Sequence, residues 1–566
     1  MENKKNNFLM QGSILAIAGL ITRFIGLVYR IPLTRLVGSE GMTYYSVAYE
    51  IYNLALLVST YSIPVAVSKL VASKNSLKQY QNSNRIFRYS MIFSAILGFI
   101  VSLILFIFAD QFAEFMENPS AAIPLRVLAP TIFVFAVMGI IRGFFQGQKT
   151  MVPTALSQVI EQIFNAITSV LAAYLLIKAY EDNEKTAAYG AAGGTAGTLA
   201  GAIFGLLFLV FIYSINRNHF LKKGRKDTTG IIDPPSLIIK TLVLTMLPII
   251  FSQTIYQLSG ILDIKIFGSI MSGKGFDESS RAVILEAYSN KYKWLYNLPV
   301  AIATAFGVSI VPTLSSSYSK NDFNSIRKKI ASATKLNMIV AIPAAAGLAF
   351  LAKPILMMLF SDTDDLYSDR LMMLGSIAVV VFALSTLTNG VLQGINRMKL
   401  PVIHSAVSLA VHVVLIYVLI ECFDMTVYGL VIGNVTYGLL ICILNWNAIY
   451  KILNYRQEVI KTFLLPAAAS IIMGAAGLGI YRLLYALNFS AIGFSDNRSN
   501  LISTVIAIIF AVIIYLILLV LFGAVSEEEI KGFPKGHVLV NLLKKCHILR
   551  TTADKKDKLP TDENIS

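Results

Sequence analysis

Cysteine is scarce in this chain: Cys422, Cys442 and Cys546 are the only three in 566 residues, and they share no motif spacing. An odd number in scattered places excludes both a disulfide framework and a zinc site, and leaves packing as their role. The five histidines spell no HExxH, and His404 and His412 are not spaced as a metal pair, so packing or helix-to-helix hydrogen bonding is their expected use. A nucleotide-binding loop is missing too: GSIMSGKG, residues 268–275, has Gly275 where Ser or Thr would hold Mg²⁺. Charge is sparse, at 14% of residues against 56% hydrophobic. The outer loops between the apolar blocks are too short for the catalytic loop of a membrane glycosyltransferase or polymerase. No enzyme is expected.

What the chain has instead is apolar length. A hydrocarbon core of about 30 Å takes about 20 apolar residues per helix, and block after block reaches that length. Fourteen spans are expected, at 10–37, 44–72, 86–109, 121–146, 153–179, 187–215, 237–271, 283–317, 331–352, 369–394, 400–420, 426–449, 461–486 and 500–524. The fold class is therefore an all-α polytopic membrane protein with 14 transmembrane helices. The opening MENKKNN and FLMQGSILAIAGL could begin a secretory signal, but the apolar stretch continues past any cleavage point with arginines inside it, so it reads as a retained first helix. With the N-terminus cytoplasmic, thirty basic residues fall on inner segments and six on outer ones, a pattern that a miscounted span would scramble. Both termini are then cytoplasmic. The net charge of +16 follows from basic loops facing an anionic leaflet, and no nucleic-acid partner is needed to explain it.

An internal repeat runs through the spans. GFFQGQKTMVP, with Gln146, Gly147 and Pro153, matches GVLQGINRMKLP, with Gln393, Gly394 and Pro401, at an offset of about 247 residues. The same offset carries YSIPVAVSK, with Pro64, onto VSIVPTLSS, with Pro312. A duplicated six-helix unit keeps its orientation, so a parallel repeat of two six-helix lobes is expected, with two extra C-terminal helices. The expected domains are an N-lobe at 1–215, a cytoplasmic basic linker at 216–236, a C-lobe at 237–460, spans 13 and 14 at 461–524, and a cytoplasmic tail at 525–566. Within the tail, HVLVNLLKKCHIL could lie on the inner leaflet or be part of a disordered segment.

The first span holds ITRFIGLVYRIPLTRLVG, residues 21–38, with Arg23, Arg30 and Arg35 inside apolar sequence. On a helical wheel Gly12, Gly19, Arg23, Gly26 and Arg30 fall within about 40° of one another, away from the most apolar side. At about 1.5 Å per residue from Phe8, Arg23 lies past mid-membrane and needs a partner or a water-filled cavity. Its partner is either a carboxylate of its own lobe, Glu50 or Glu161, or a ligand. Arg30 shares the stripe, while Arg35, beyond Pro32, is expected to be an outer anchor. Cations outnumber acids among the remaining ionisable groups inside spans, which include Lys291 and Lys293. A cavity lined this way favours an anionic ligand, and the arginine fork suits phosphate. Asp263, in SGILDIKIFG, has three readings: a Na⁺ site, a proton site, or a partner for a lysine.

The most specific stretches are TRFIGLVYRIPLTRLVG with the following EGMTYYSVAYEIYNL, SIPVAVSKLVAS, and YNLPVAIATAFGVSIVPTLS. Through them the chain resembles the polysaccharide-transport branch of the multidrug/oligosaccharidyl-lipid/polysaccharide (MOP) exporter superfamily, in particular the SpoVB, YtgP and MurJ-like lipid II flippases, to about residue 525. The resemblance implies a flippase of the bacterial cytoplasmic membrane. Such a protein moves an undecaprenyl-pyrophosphate-linked sugar, here the peptidoglycan precursor lipid II, from the inner to the outer leaflet by alternating access. Arg23 matches the arginine of the family's Ser/Thr-Arg-x-x-Gly element. The next family arginine falls on Tyr29, beside Arg30; the one in span 8 falls on Lys291 or, with another gap, on Lys293; the one in span 2 has no counterpart in the apolar LALLVST.

The expected substrate-binding residues are thus Arg23, Arg30, Lys291, Lys293, Glu50 and Glu161, with Asp263 as the ion-coupling candidate. No metal or cofactor is expected beyond Na⁺ or H⁺ coupling or the membrane potential. Spans 13 and 14 are expected to wall a groove for the polyprenyl tail. The expected partners are the undecaprenyl-linked sugar lipid and membrane lipids, with the chain acting as a monomer. Two alternatives stand beside this one. The first is a flippase for another lipid-linked precursor, of teichoic acid, capsule or spore cortex. The second is a cation-coupled multidrug exporter of the same fold, which would show twelve helices and an excess of acids.

Overall fold

A computed structural model describes residues 2–225, 227–318, 321–360, 367–490 and 495–525. The HVLVNLLKKCHIL segment and Cys546 lie outside the described residues. Among the described residues all regular structure is helical. Nine of these helices are long and apolar enough to cross a membrane, or ten if one pair bent by 45° counts as a single span. The chain is a multi-pass membrane protein.

Two compact units divide it, residues 1–290 with 405–433, and residues 291–404 with 434–566. The helices of the first are α1 (Glu2–Leu56), α2 (Ile63–Ser76), α3 (Tyr80–Ile107), α4 (Ala109–Phe115), α5 (Ala122–Gly147), α6 (Val152–Ala179), α7 (Thr186–Arg225), α8 (Pro235–Gly273) and α9 (Glu278–Glu286). The second holds α10 (Lys293–Tyr318), α11 (Phe323–Phe350), α12 (Ala352–Phe360), α13 (Ser368–Gly375), α14 (Ala378–Gly394), α17 (Leu465–Ser490) and α18 (Asp496–Leu521). Helices α15 (Lys399–Tyr417) and α16 (Thr426–Leu453) give their facing ends to the first unit and the remainder to the second.

Helix α1 contains one non-helical residue, Gly38, at φ 74° and ψ 175°. That region is closed to side chains with a Cβ, so glycine lets the chain turn there, one residue past the expected end of the first span. Pro32, six residues before it, removes a further backbone hydrogen bond.

Small residues set how closely the helices of the first unit approach. Lipid tails are as apolar as leucine, so membrane helices associate through close packing and interhelical hydrogen bonds rather than through burial from water. On α7, Gly193, Gly197 and Gly201 recur every four residues and face α6: a Cβ at these positions would overlap Ala173, Ser169 and the Glu161 carbonyl. On α5, Gly143 and Gly147 do the same against α2, where a Cβ would stand 2.7 Å from the Pro64 carbonyl and 2.6 Å from Val71. Hydroxyls add to this contact, with Ser94 donating to the Ala136 carbonyl at 3.0 Å and Ser102 to the Ala129 carbonyl at 2.8 Å between α3 and α5.

The second unit packs around Leu314, Ile326, Ile330, Leu387, Leu392 and Ile449. Here α14 meets α10 through Gly394, where a Cβ would lie 2.8 Å from Leu314.

The repeat read from the two QG stretches, each followed by a proline, has a local structural counterpart. Lys149 and Asn396, 247 residues apart, are both left-handed, at φ 65° and 60°. Each closes its helix with the same two bonds. Lys149 N–H donates to Gln146 and Thr150 N–H to Phe145, at 2.9 and 3.1 Å; Asn396 N–H donates to Gln393 and Arg397 N–H to Leu392, at 3.1 and 2.8 Å. This pairing satisfies helix-terminal carbonyls that otherwise face an apolar medium.

Gly197→Val is expected to lower the stability of the detergent-solubilised protein by about 1–3 kcal/mol, the usual cost of overpacking a tight contact. Gly347→Ala, whose Cβ meets nothing within 4 Å, is the matched control and leaves the melting temperature unchanged. Thermal unfolding of the two variants checks this.

Candidate functional site

A π-helical turn at Ala287–Tyr292, AYSNKY, leads into α10 and carries the polar residues of the site. A π turn inserts an extra residue into the helix and re-aims the side chains around it, a device that recurs at functional positions. Asn290, fully buried, accepts from the Arg30 Nη2 at 2.6 Å and from the Ser46 hydroxyl at 2.5 Å, and donates to the Met42 carbonyl at 2.8 Å. Arg30 lies before the Gly38 break and Met42 and Ser46 lie after it, so one amide ties together both halves of α1. The Arg30 guanidinium also sits 5.6 Å from the centre of the Tyr45 ring. Tyr45, Tyr49 and Tyr52 continue as an aromatic row, with centroids 4.5 and 5.8 Å apart, and the Tyr49 hydroxyl meets Thr198.

Two residues before Asn290, the Tyr288 hydroxyl donates to Asp263 Oδ2 at 2.6 Å. The other oxygen of Asp263 meets His412 Nε2 at 2.6 Å, and the carboxylate and the imidazole are both buried. Of the three readings of Asp263, pairing to a lysine is replaced by pairing to a histidine and a tyrosine. The nearby Lys265 instead holds Glu117, at 2.8 Å. Glu117 also receives the Ser269 hydroxyl at 3.2 Å, with Arg281 at 3.8 Å. The Lys265 hydrogen bond is the main reason its carboxyl is held below the usual carboxylate range. A carboxyl depressed in the folded state stabilises it at neutral pH and loses that contribution as pH falls through the depressed value.

The other expected residues divide by neighbour. Glu50 is half-buried, with its carboxylate against Gly260 of α8, where a Cβ would come within 2.8 Å of Oε2. Asp263 lies three residues further along that helix. Glu161 is engaged by Arg142 at 2.8 Å, with Ser157 receiving the Arg142 Nε at 3.0 Å. Arg23 is exposed on α1, as is Arg35 beyond Pro32. Lys291, next to Asn290 on the π turn, is buried and Lys293 half-buried, and both belong to the second unit. His404 meets Asn445 Oδ1 at 2.7 Å, so both span histidines form the helix-to-helix hydrogen bonds expected of them. Among the described residues no cluster of three or more His, Cys, Asp or Glu could hold a metal. Sequence reasoning missed Asn290, Tyr288 and Arg142; the one available signal was NKYK, a run of polar residues inside an apolar span.

In the second unit an apolar groove of about 630 Å³ lies beside α16 and the start of the penultimate span. Leu384, Ile443, Trp446, Val459 and Phe463 form its walls, and Arg456 is also in its lining.

The family model described as polysaccharide biosynthesis protein matches residues 8–318, more than half of the chain. The chain belongs to that family. It is a member of the MOP superfamily, and a second model, MatE, matches residues 291–418. The chain is similar to the lipid II flippase MurJ of Bacillus subtilis (strain 168), at 28% identity over 83% of the chain and 87% of the relative. It is also similar to stage V sporulation protein B of the same organism, at 24% identity over 94% of the chain and 98% of the relative. Among solved structures, a lipid II flippase MurJ in an inward closed conformation shares the fold, with a TM-score of 0.62 and 17% identity over 90% of this chain and 98% of that one.

Asn290→Ala removes an acceptor shared by Arg30 and Ser46 and a donor to Met42, and is expected to cost about 1–3 kcal/mol. Asn290→Asp keeps the acceptor and is expected to lose less. Thermal unfolding of the two variants side by side tests the order.

Proposed function

We propose that the chain is a flippase for an undecaprenyl-diphosphate-linked sugar, lipid II, moved from the inner to the outer leaflet by alternating access. The observation that carries this reading is the α1 arginine stripe: Arg30 is held in place by Asn290, and Arg23, two turns away on the same helix, is exposed. A guanidinium at this depth in a membrane helix is costly unless it serves a ligand or a water-filled path, and a diphosphate matches its fork. The similarity to a protein named lipid II flippase supports the substrate class. Lys291 and Lys293 supply further positive charge to the diphosphate in this reading, while Glu50 and Glu161 position cations and hydroxyls.

Outward movement of an anion is favoured by a potential negative inside, at about 2.3 kcal/mol per charge per 100 mV. Asp263 is the coupling site: a cation or proton arriving there must displace the hydrogen bond from His412 or from Tyr288. Because Tyr288 and Asn290 share one π turn, that displacement is passed to the partner of Arg30. A second reading, another lipid-linked precursor, is favoured by the similarity to stage V sporulation protein B along nearly the whole chain.

Depletion in the native host is expected to reduce lipid II exposed on the outer leaflet. Unchanged exposure, with no redundant flippase present, would sink the lipid II reading in favour of the second. Arg23→Ala is expected to abolish complementation while the protein still inserts and folds; full activity of that variant removes Arg23 from the site. Asp263→Asn, reconstituted in liposomes, is expected to transport without response to an imposed H⁺ or Na⁺ gradient, and a retained response excludes Asp263 from coupling.

A further inference from the structure

Away from the α1 arginines, the basic ends of α3 and α7 enclose a groove of about 950 Å³. Four arginines line it, Arg85, Arg88, Arg217 and Arg225, against a single acid, Asp227, which leaves a surplus of three positive charges. Asp227 is committed elsewhere. It accepts from the Gln81 N–H at 2.8 Å, and from the Thr229 N–H and hydroxyl at 2.9 and 2.6 Å. These bonds, the Thr229 hydroxyl first, hold its carboxyl below the usual range, so it stays charged without reaching for an arginine. Arg85 is half committed, donating to the Asp233 carbonyl at 3.2 Å and lying 5.3 Å from the Tyr89 ring. Arg88, Arg217 and Arg225 are exposed and form no ion pair among the described residues.

Basic side chains at a membrane surface are ordinarily just solvated, but this set has a shaped and rigid setting. Phe87 and Tyr213 stack with centroids 4.8 Å apart in the groove wall, and both pack on the buried cluster around Ile86 and Phe144. Asn84 bridges the two helices by donating to the Phe220 carbonyl at 3.0 Å. From the groove two apolar ridges run along the helices toward the bilayer interior. Ile92, Ile96 and Phe99 stand exposed on α3, and Leu207, Phe211 and Ile215 on α7. A soluble phosphate would use the arginines and leave the ridges idle. A lipid uses both.

We propose that this groove binds the headgroup of an anionic glycerophospholipid. Arg88, Arg217 and Arg225 hold the phosphate, and the acyl chains lie along the ridges of α3 and α7. The site is separate from the α1 stripe, and its occupant is a resident of the membrane rather than the transported substrate. Guanidinium forks match phosphate oxygens, and basic pockets between membrane helices are suited to anionic headgroups.

The test uses the full chain in neutral detergent, titrated with phosphatidylglycerol, phosphatidylcholine, undecaprenyl diphosphate or inorganic pyrophosphate, with thermal stability and native mass spectrometry as readouts. Phosphatidylglycerol is expected to raise the melting temperature saturably and to remain bound in the spectrometer, and phosphatidylcholine is not. The triple variant Arg88→Gln/Arg217→Gln/Arg225→Gln is expected to bind phosphatidylglycerol about a hundredfold more weakly, the sum of three arginine contributions at such a surface. The single variants Arg88→Gln and Arg225→Gln, each expected to weaken binding several-fold, serve if the triple variant melts early without lipid. Arg397→Gln, on an exposed loop of the second unit, is expected to bind as the unmodified chain does. Equal binding by the triple variant, an equal shift from inorganic pyrophosphate, or a shift from undecaprenyl diphosphate alone would each overturn the proposal.

Discussion

Water does not reach the interior of a bilayer, so every polar group placed there must find its partner within the protein, and the turn Ala287–Tyr292 meets that demand for several segments at once. Asn290 satisfies a guanidinium, a hydroxyl and a backbone carbonyl from the two halves of α1. Tyr288 satisfies one oxygen of Asp263, while His412 takes the other. An asparagine suits the first task because its amide both donates and accepts, and a regular α-helical turn would not direct both side chains to these partners. Arg30 and Asp263, two ionisable residues of the first unit, are therefore both held by side chains of one π turn. Arg30 and Ser46 on α1 and Asp263 on α8 are reached from this one turn, and His412 on α15 joins them through Asp263.

The helices around that turn are brought close by the absence of side chains. Glycines on α5 and α7 place backbone against backbone, and Gly260 makes room for the Glu50 carboxylate on the helix that carries Asp263. Interfaces this tight leave little free volume, so a change of conformation in the unit falls where the packing is interrupted. In α1 that place is Gly38, with Pro32 six residues before it, and after α9 it is the π turn itself. Asn290 spans both, which puts the hydrogen bond to Arg30 where such a change would be felt first.

Much of the architecture was legible because the bilayer imposes its own length scale. The expected span at 121–146 is α5 at Ala122–Gly147, and that at 153–179 is α6 at Val152–Ala179. One local match was legible because helix C-termini favour left-handed residues at defined positions: Lys149 and Asn396 adopt that conformation 247 residues apart. The break in α1 was visible in Gly38. The partners were much harder to read. Glu161 stood as a candidate partner for Arg23, since carboxylates and arginines are interchangeable in a composition argument; packing of α5 on α6 gives it Arg142 instead. The sequence around Asp263 suits an ion, a proton or a lysine alike, whereas the fold gives it Tyr288 and a histidine 149 residues away.

The amino-acid sequence alone determined that this chain is helical, crosses the membrane many times and carries cations inside its apolar spans. Those properties follow from local quantities: apolar length, charge placement and the spacing of glycine, proline and arginine along one helix. Only the tertiary structure decided that Asn290 holds Arg30, that Arg142 holds Glu161, and that Asp263 is shared by His412 and Tyr288. Those pairings depend on which helix faces join, and helix packing is a property of shape across distant segments that no local pattern encodes.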